Sequence, residues 1–380
     1  MASISSASSS HKALTAPIPS SVPDASAKVT HKNRIRWIDI GKGIGIVLVT
    51  FGHIRNGNYE CIWLPDLALP ISFIYLFHMP LFYFLGGLTF SSQRRFSDFL
   101  KIKTKTLLIP YYVFSLYFLV KPIAALINPT FFTQMHVGEN YSGSIAKQFY
   151  DILINGDGLW FLWAYFIGEL IVYPLSHIFT RKYQYLLTGS ALIATYFTIT
   201  ACFPHFALPF RIITGVEVAG FIMLGIACKA QLIALRRSSS MILFCITAIT
   251  SIALYILTTG ISHATLSTLC EILIMFLSIA ACVFLSLSIM HCQILEHIGR
   301  YSLSFYAVNA FTLNLGKVVF FRLLHIDGTH ASIYLQWVYG ILLTIFCLVL
   351  LWIEDLLIRK LLPWSVGITK RKLTQESDSI

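Results

Sequence analysis

Arg36–His53, RWIDIGKGIGIVLVTFGH, is the stretch on which the reading of the chain turns. It reads as a first membrane-spanning helix, yet it carries Asp39, Lys42 and His53. At ~100° per residue, Lys42 lies one turn past Asp39. His53, eleven positions past Lys42, returns to within roughly 20° of the same azimuth. One face of a hydrophobic helix therefore holds an acid, a base and an imidazole. Such groups are costly in hydrocarbon unless they face a cavity or a partner, so each is a candidate for function. The plainer alternative has Asp39 and Lys42 marking an interface, with Lys42 snorkelling to headgroups, and His53 packed as a core histidine.

The rest of the composition agrees with a membrane setting. The 380 residues are 56% hydrophobic and 12% charged, and mean hydropathy is +0.73. A soluble domain would carry about twice that charge. The net charge of +11 points to orientation and anionic headgroups before it points to nucleic acid. The eight cysteines form no CxxC and no zinc-type spacing, and most sit in apolar runs as small hydrophobes. Cys61 and Cys202 fall near one face, where a disulfide is conceivable but has no support in the spacing.

Working outward, residues 1–33 are rich in Ser, Ala and Pro and read as a disordered cytoplasmic tail. Ten apolar spans follow, near 37–56, 70–90, 104–122, 158–178, 184–203, 210–229, 240–260, 267–290, 302–322 and 334–357. Residues 361–380 read as a second cytoplasmic tail. With the N-terminus inside, roughly 21 basic residues fall on the inner side against about 6 outside, so both termini are expected in the cytoplasm. Gly, Pro and polar residues within spans predict broken helices around a central cavity. A long outer loop, 123–157, holds Phe131, Phe132, His136, Glu139, Tyr141 and Tyr150, suited to sugar stacking or to an interfacial belt.

Several side chains in these spans are candidates for chemistry. His78, in FHMPLFYFLGG, should lie at a depth similar to His53 on an antiparallel neighbour. An outer base with a second polar group beside it suits proton removal from a hydroxyl; a packed membrane histidine is the alternative. Eleven residues of helix separate Lys42 from His53 by ~16 Å. A cation deep on the inner side and a base near the outer side imply a long molecule between them, and the phosphopantetheine arm of coenzyme A is of that length. Lys101 and Lys105, an i, i+4 pair in KIKTKTLLIPYY before Pro110, suit its phosphates or serve as ordinary positive-inside residues. Arg300 marks another inner mouth. Trp160 and Trp163 open the fourth span at the outer interface. Glu169, Glu217 and Glu271 are intramembrane acids that need partners. Arg211 would pair with Glu217 or meet a substrate anion. Tyr306 and Asn309 share a helix face, and Asn309 needs a hydrogen-bond partner. No GxSxG, Walker A or HExxH motif is present.

Together these landmarks resemble the acyltransferase-3 family of bacterial membrane O-acyltransferases, its fucose-4-O-acetylase-like branch above all. The family signature places a basic residue eleven positions before an essential histidine, and Lys42 and His53 match it, with Asp39 at the preceding acidic position. FHMPLFYFLGG, KIKTKTLLIPYY, GLWFL and IGRYSLSFYAVN resemble later motifs, and the similarity covers residues 34–360. Two departures stand out. The basic residue is often Arg and is Lys42 here, which loses bidentate phosphate binding. The late motif often ends in His and ends in Asn309 here. No SGNH-type domain follows the last span.

The resemblance implies an all-α protein of the bacterial inner membrane that moves acetyl from cytoplasmic acetyl-CoA to a sugar hydroxyl of an exopolysaccharide or its lipid-linked precursor, with no metal. In that scheme His53 is the base, assisted by Asp39 and His78. Lys42, Lys101, Lys105 and Arg300 hold the donor, and Trp160, Arg211, Tyr306 and Asn309 meet the acceptor. The rival reading is a transporter or flippase for a lipid-linked sugar, without covalent chemistry, which buried charges in broken helices fit as well.

Overall fold

The computed structural model describes residues 34–55, 61–128, 144–261 and 263–368. The expected tail 1–33, residues 369–380, and the outer-loop positions Phe131, Phe132, His136, Glu139 and Tyr141 lie outside the described residues. From Ile35 onward the described helices belong to one structural unit.

All regular structure among the described residues is helical. The helices are α1 (Arg36–Gly52), α2 (Ala68–Tyr75), α3 (His78–Thr89), α4 (Phe96–Lys103), α5 (Ile109–Ser115), α6 (Val120–Ile127), α7 (Ile145–Tyr150) and α8 (Trp160–Ile178). They continue with α9 (Lys182–Cys202), α10 (Ile212–Ala234), α11 (Arg237–Thr258), α12 (Ala264–Ser288), α13 (Gln293–Arg300), α14 (Ser302–Lys317) and α15 (Ile333–Leu361). Nine helical stretches among the described residues are long and apolar enough to cross a membrane. With α1, whose 17 residues reach ~25 Å, they account for the ten expected spans. The protein is a multi-pass helical membrane protein.

Two of the spans break where proline removes a donor. Pro80 leaves the Leu76 carbonyl without its i+4 N–H, and the second span parts at Leu76–Phe77, so His78 becomes the first residue of α3. Pro110 does the same to Thr106, and the turn Thr104–Leu108 widens to π geometry between α4 and α5. The sequence also gave no sign of α13 as a separate helix; it lies against α1 before the chain turns at Tyr301 into α14.

The reason α13 comes so close is a pair of glycines. A Cβ on Gly43 would meet the Leu295 backbone, and one on Gly299 would meet the Asp39 carbonyl. Without side chains there, the two helices touch through main chain. α1 also packs on α3, α12, α14 and α15, which makes it the central helix. Its buried Ile38, Ile46 and Val49 join cores on both sides. A helix enclosed by protein can carry Asp39, Lys42 and His53 without presenting them to lipid. By contrast α11 turns Ile242, Ile246, Ile249 and Ile256 outward, as a lipid-facing span should.

Candidate active site

Three stations lie along α1. The first is a cavity of about 240 Å³ beside Lys42. Its walls include Phe82 of α3, Phe161 and Tyr165 of α8, Thr106 of the π turn, and Ser302 and Tyr306 of α14. Glu169, behind this wall, is within electrostatic reach of Lys42 and accepts a 2.5 Å hydrogen bond from Lys103 Nζ. Glu169 is thereby paired, as a buried carboxylate must be. Lys101 and Lys105, the expected phosphate ligands, are exposed, as is Arg300 at the end of α13. Lys103 was not singled out from the sequence; lying between two i, i+4 partners, it points to the opposite, inward side of the helix.

The second station is Thr50 with Asn309. The Thr50 hydroxyl gives its only proton to the Ile46 carbonyl at 3.0 Å, so it can only accept from Asn309, whose Nδ2 lies 2.9 Å away. This fixes the amide orientation. Asn309 therefore spends a donor on α1, and its buried Oδ1 has no hydrogen-bond partner.

The third station is the end of α1. His53 Nδ1 donates to the Val49 carbonyl at 2.8 Å, and His78 Nδ1 donates to the Ile74 carbonyl at 2.9 Å. A carbonyl only accepts, so in each neutral ring the proton sits on Nδ1 and the lone pair on Nε2. The rings lie 6.0 Å apart, edge to face, with Tyr75 packed 5.4 Å from His53 and 4.8 Å from His78. The guanidinium of Arg55 sits 3.1 Å over the Tyr75 ring, and Lys317 Nζ donates to the Arg55 carbonyl at 3.0 Å. His78 is buried and His53 is partly open. Neither imidazole lines the Lys42 cavity.

Other expected residues fall elsewhere. Arg211 pairs with Asp157, not with Glu217, because Phe210 and Arg211 both adopt left-handed backbone angles and swing the side chain back toward the 156–158 loop. Trp160 packs, partly buried, against the core at the start of α8. Asp39 is buried one turn before Lys42, beneath Gly299. All eight cysteines are free; Cys61 is buried and Cys202 exposed. A polar lock absent from the sequence reading joins α13, α14 and α15. Fully buried Asp355 accepts from Arg359 at 3.0 Å and from Ser304, with His297 Nε2 3.4 Å away and its ring stacked on Trp352. Asp355 and Arg359 at i, i+4 were the available signal.

One helix thus carries a cation at a cavity and, eleven residues on, an imidazole whose Nε2 can accept a proton. The acyltransferase domain model of the acyltransferase-3 family matches residues 35–353, and the chain belongs to that family. It is a membrane acyltransferase. No curated protein and no solved structure matches it.

Proposed function

We propose that the protein is an O-acetyltransferase of the bacterial inner membrane, moving acetyl from cytoplasmic acetyl-CoA to a sugar hydroxyl of an exopolysaccharide or of its lipid-linked precursor. The observation that carries this reading is the tautomer of His53. With Nδ1 committed to Val49, Nε2 is an acceptor on the same helix face as Lys42.

In this scheme the Lys42 face is cytoplasmic. Lys42 and the exposed Lys101, Lys105 and Arg300 attract the donor's phosphates, and Asp39 balances Lys42 one turn away. The ~16 Å between Lys42 and His53 suits the pantetheine arm. His53 Nε2 takes the proton from the sugar hydroxyl, and the oxygen attacks the thioester carbonyl. The tetrahedral intermediate collapses with cleavage of the C–S bond, and the imidazolium returns the proton to the leaving thiolate. The products are the sugar acetate and free coenzyme A, and the base is restored. His78, paired to Ile74 in the same way, sits as a second acceptor for the sugar. Tyr306 faces the donor cavity, and Trp160 and Arg211 stand on the acceptor side.

Mass spectrometry of the surface polysaccharide and of its lipid-linked precursors tests the reading in wild type, deletion and His53→Ala strains. Loss of one acetyl per repeat in both mutants is the expected result. Unchanged acetylation, with precursor accumulating on one membrane face, would replace transfer by transport.

A further inference from the structure

Two walls of the Lys42 cavity are pieces of chain with an incomplete hydrogen-bond ladder. One is the first turn of α14, where Ser302, Leu303 and Tyr306 line the cavity just after the chain bends at Tyr301. The other is the π turn, where Thr106 and Leu107 line it. A helix's first turn and a widened turn are not fixed by their own backbone bonds alone, so their places depend on what packs behind them. Both are held by one segment, residues 355–367, which lies wholly past residue 353, where the family match ends.

Asp355 grips the α14 wall. It is fully buried near the C-terminal end of α15, and Arg359, one turn on, places Nε and Nη2 each 3.0 Å from its Oδ2. That pair lies within one helix and ties nothing else together. Oδ1 accepts from the Ser304 hydroxyl of α14. Ser304 lies ~200° around the helix from Ser302, so the bond takes hold of the back of the turn whose front lines the cavity. The Arg359 guanidinium also sits 3.8 Å over the Tyr301 ring, at the bend itself. A buried ion pair adds little net stability, and its best-attested use is to fix register between elements.

The same segment then reaches the other wall. α15 ends at Leu361, and the turn Pro363–Val366 packs against Thr104–Leu108 and α5. Ser365 and Val366 are buried there. Gly367 closes the turn with φ +70°, and a Cβ on it would stand 2.9 Å from Thr106 Cγ2 and 3.2 Å from the Lys105 carbonyl oxygen. Glycine permits both that backbone and that approach.

We propose that residues 355–367 are a strap that sets the width of the Lys42 cavity, with Asp355 as its positioning residue: the Asp355–Ser304 bond places the α14 wall, and the turn ending at Gly367 places the Thr106 wall. The inference rests on the reading of this cavity as the seat of the acyl donor, and adds the element that shapes it.

The test uses full-length protein in nanodiscs and reads KM for acetyl-CoA and kcat by thiol release. Ser304→Ala leaves the Asp355–Arg359 pair whole and should raise KM about tenfold, the worth of one hydrogen bond to a charged group. Its kcat should stay within about twofold. Gly367→Ala, at the other wall, should also raise KM. Asp355→Asn should raise KM at least as far as Ser304→Ala, and combining the two should add nothing, because both remove one contact. If Asp355→Asn does not fold, Ser304→Ala and Gly367→Ala carry the test. A residue that only supported the fold would lower folded yield and leave KM where it was. Wild-type KM in a folded Ser304→Ala protein would overturn the proposal. A second readout needs no donor. In a cysteine-free background, the thiol of Ser302→Cys should react several-fold faster with a water-soluble maleimide once Ser304→Ala is added. A faster thiol in a protein that turns over no acetyl-CoA would overturn the donor's identity and keep the strap. Turnover of acetyl-CoA with KM and thiol rate both unmoved would do the reverse.

Discussion

At Val49 a single carbonyl accepts from both the backbone N–H and the ring Nδ1 of His53, so the helix end itself sets the imidazole's tautomer. The pair Thr50–Asn309 then ties α14 to the same turn. Thr50→Val keeps the shape and removes the acceptor, leaving the Asn309 Nδ2 without a partner beside an Oδ1 that already lacks one. It should cost about 1–3 kcal/mol in thermal unfolding in detergent. Thr50→Ser, which keeps the hydroxyl, should recover most of that. His53 and Asn309 were legible in the sequence because a lone polar residue in an apolar run stands out. Thr50 was not, because a threonine in a membrane helix ordinarily bonds its own i−4 carbonyl, as this one also does. Lys103 was passed over for a related reason: in KIKTK composition is the same on both sides of the helix, and only the packing says which lysine turns inward.

Two contacts between elements carry predictions. Where α1 meets α13, Gly299→Ala would press a methyl into the Asp39 carbonyl, and Gly43→Ala would press one into Leu295. Backbone cannot retreat as a side chain does, so each should destabilise by about 1–3 kcal/mol and shift Asp39 and Lys42 from their places. Lowered thermal stability together with weakened donor binding checks this. Between α4 and α8, Lys103→Met should cost about 3–5 kcal/mol by stranding the buried Glu169 carboxylate, and Glu169→Gln should cost less because Lys103 keeps a quarter of its side chain exposed. The double variant should recover most of it, and a double-mutant cycle reads the coupling. The span pattern itself was legible from hydropathy alone. The breaks at Leu76–Phe77 and at Thr104–Leu108 were foreshadowed by Pro80 and Pro110, but α13 was not, since eight residues of mixed polarity give no span signal and its position depends on two distant glycines meeting main chain.

For the whole molecule, ten traverses in alternate directions bring the Lys42 ends of the spans to one face and the His53 ends to the other. If the Lys42 face is cytoplasmic, a cysteine at Arg300 or Lys101 in a cysteine-free background should react with an impermeant maleimide only from the cytoplasmic side, and a cysteine at Asp327 only from the outside. The reverse pattern would invert the donor's direction of entry. The family and the helical architecture could be read from the chain because they depend on pattern: hydropathy, the Lys42–His53 spacing and the later motifs. The relation between the Lys42 cavity and the histidine pair could not, because it depends on which faces of α1 are covered by which neighbours.

The most direct test of the central claim is release of free thiol from acetyl-CoA by purified protein in nanodiscs, with a lipid-linked saccharide fraction as acceptor, comparing wild type with His53→Ala. Acceptor-dependent release is expected, falling at least ~100-fold in the variant while the variant still binds the donor. Release at the wild-type rate from a folded His53→Ala protein would show that His53 is not the base and would contradict the account.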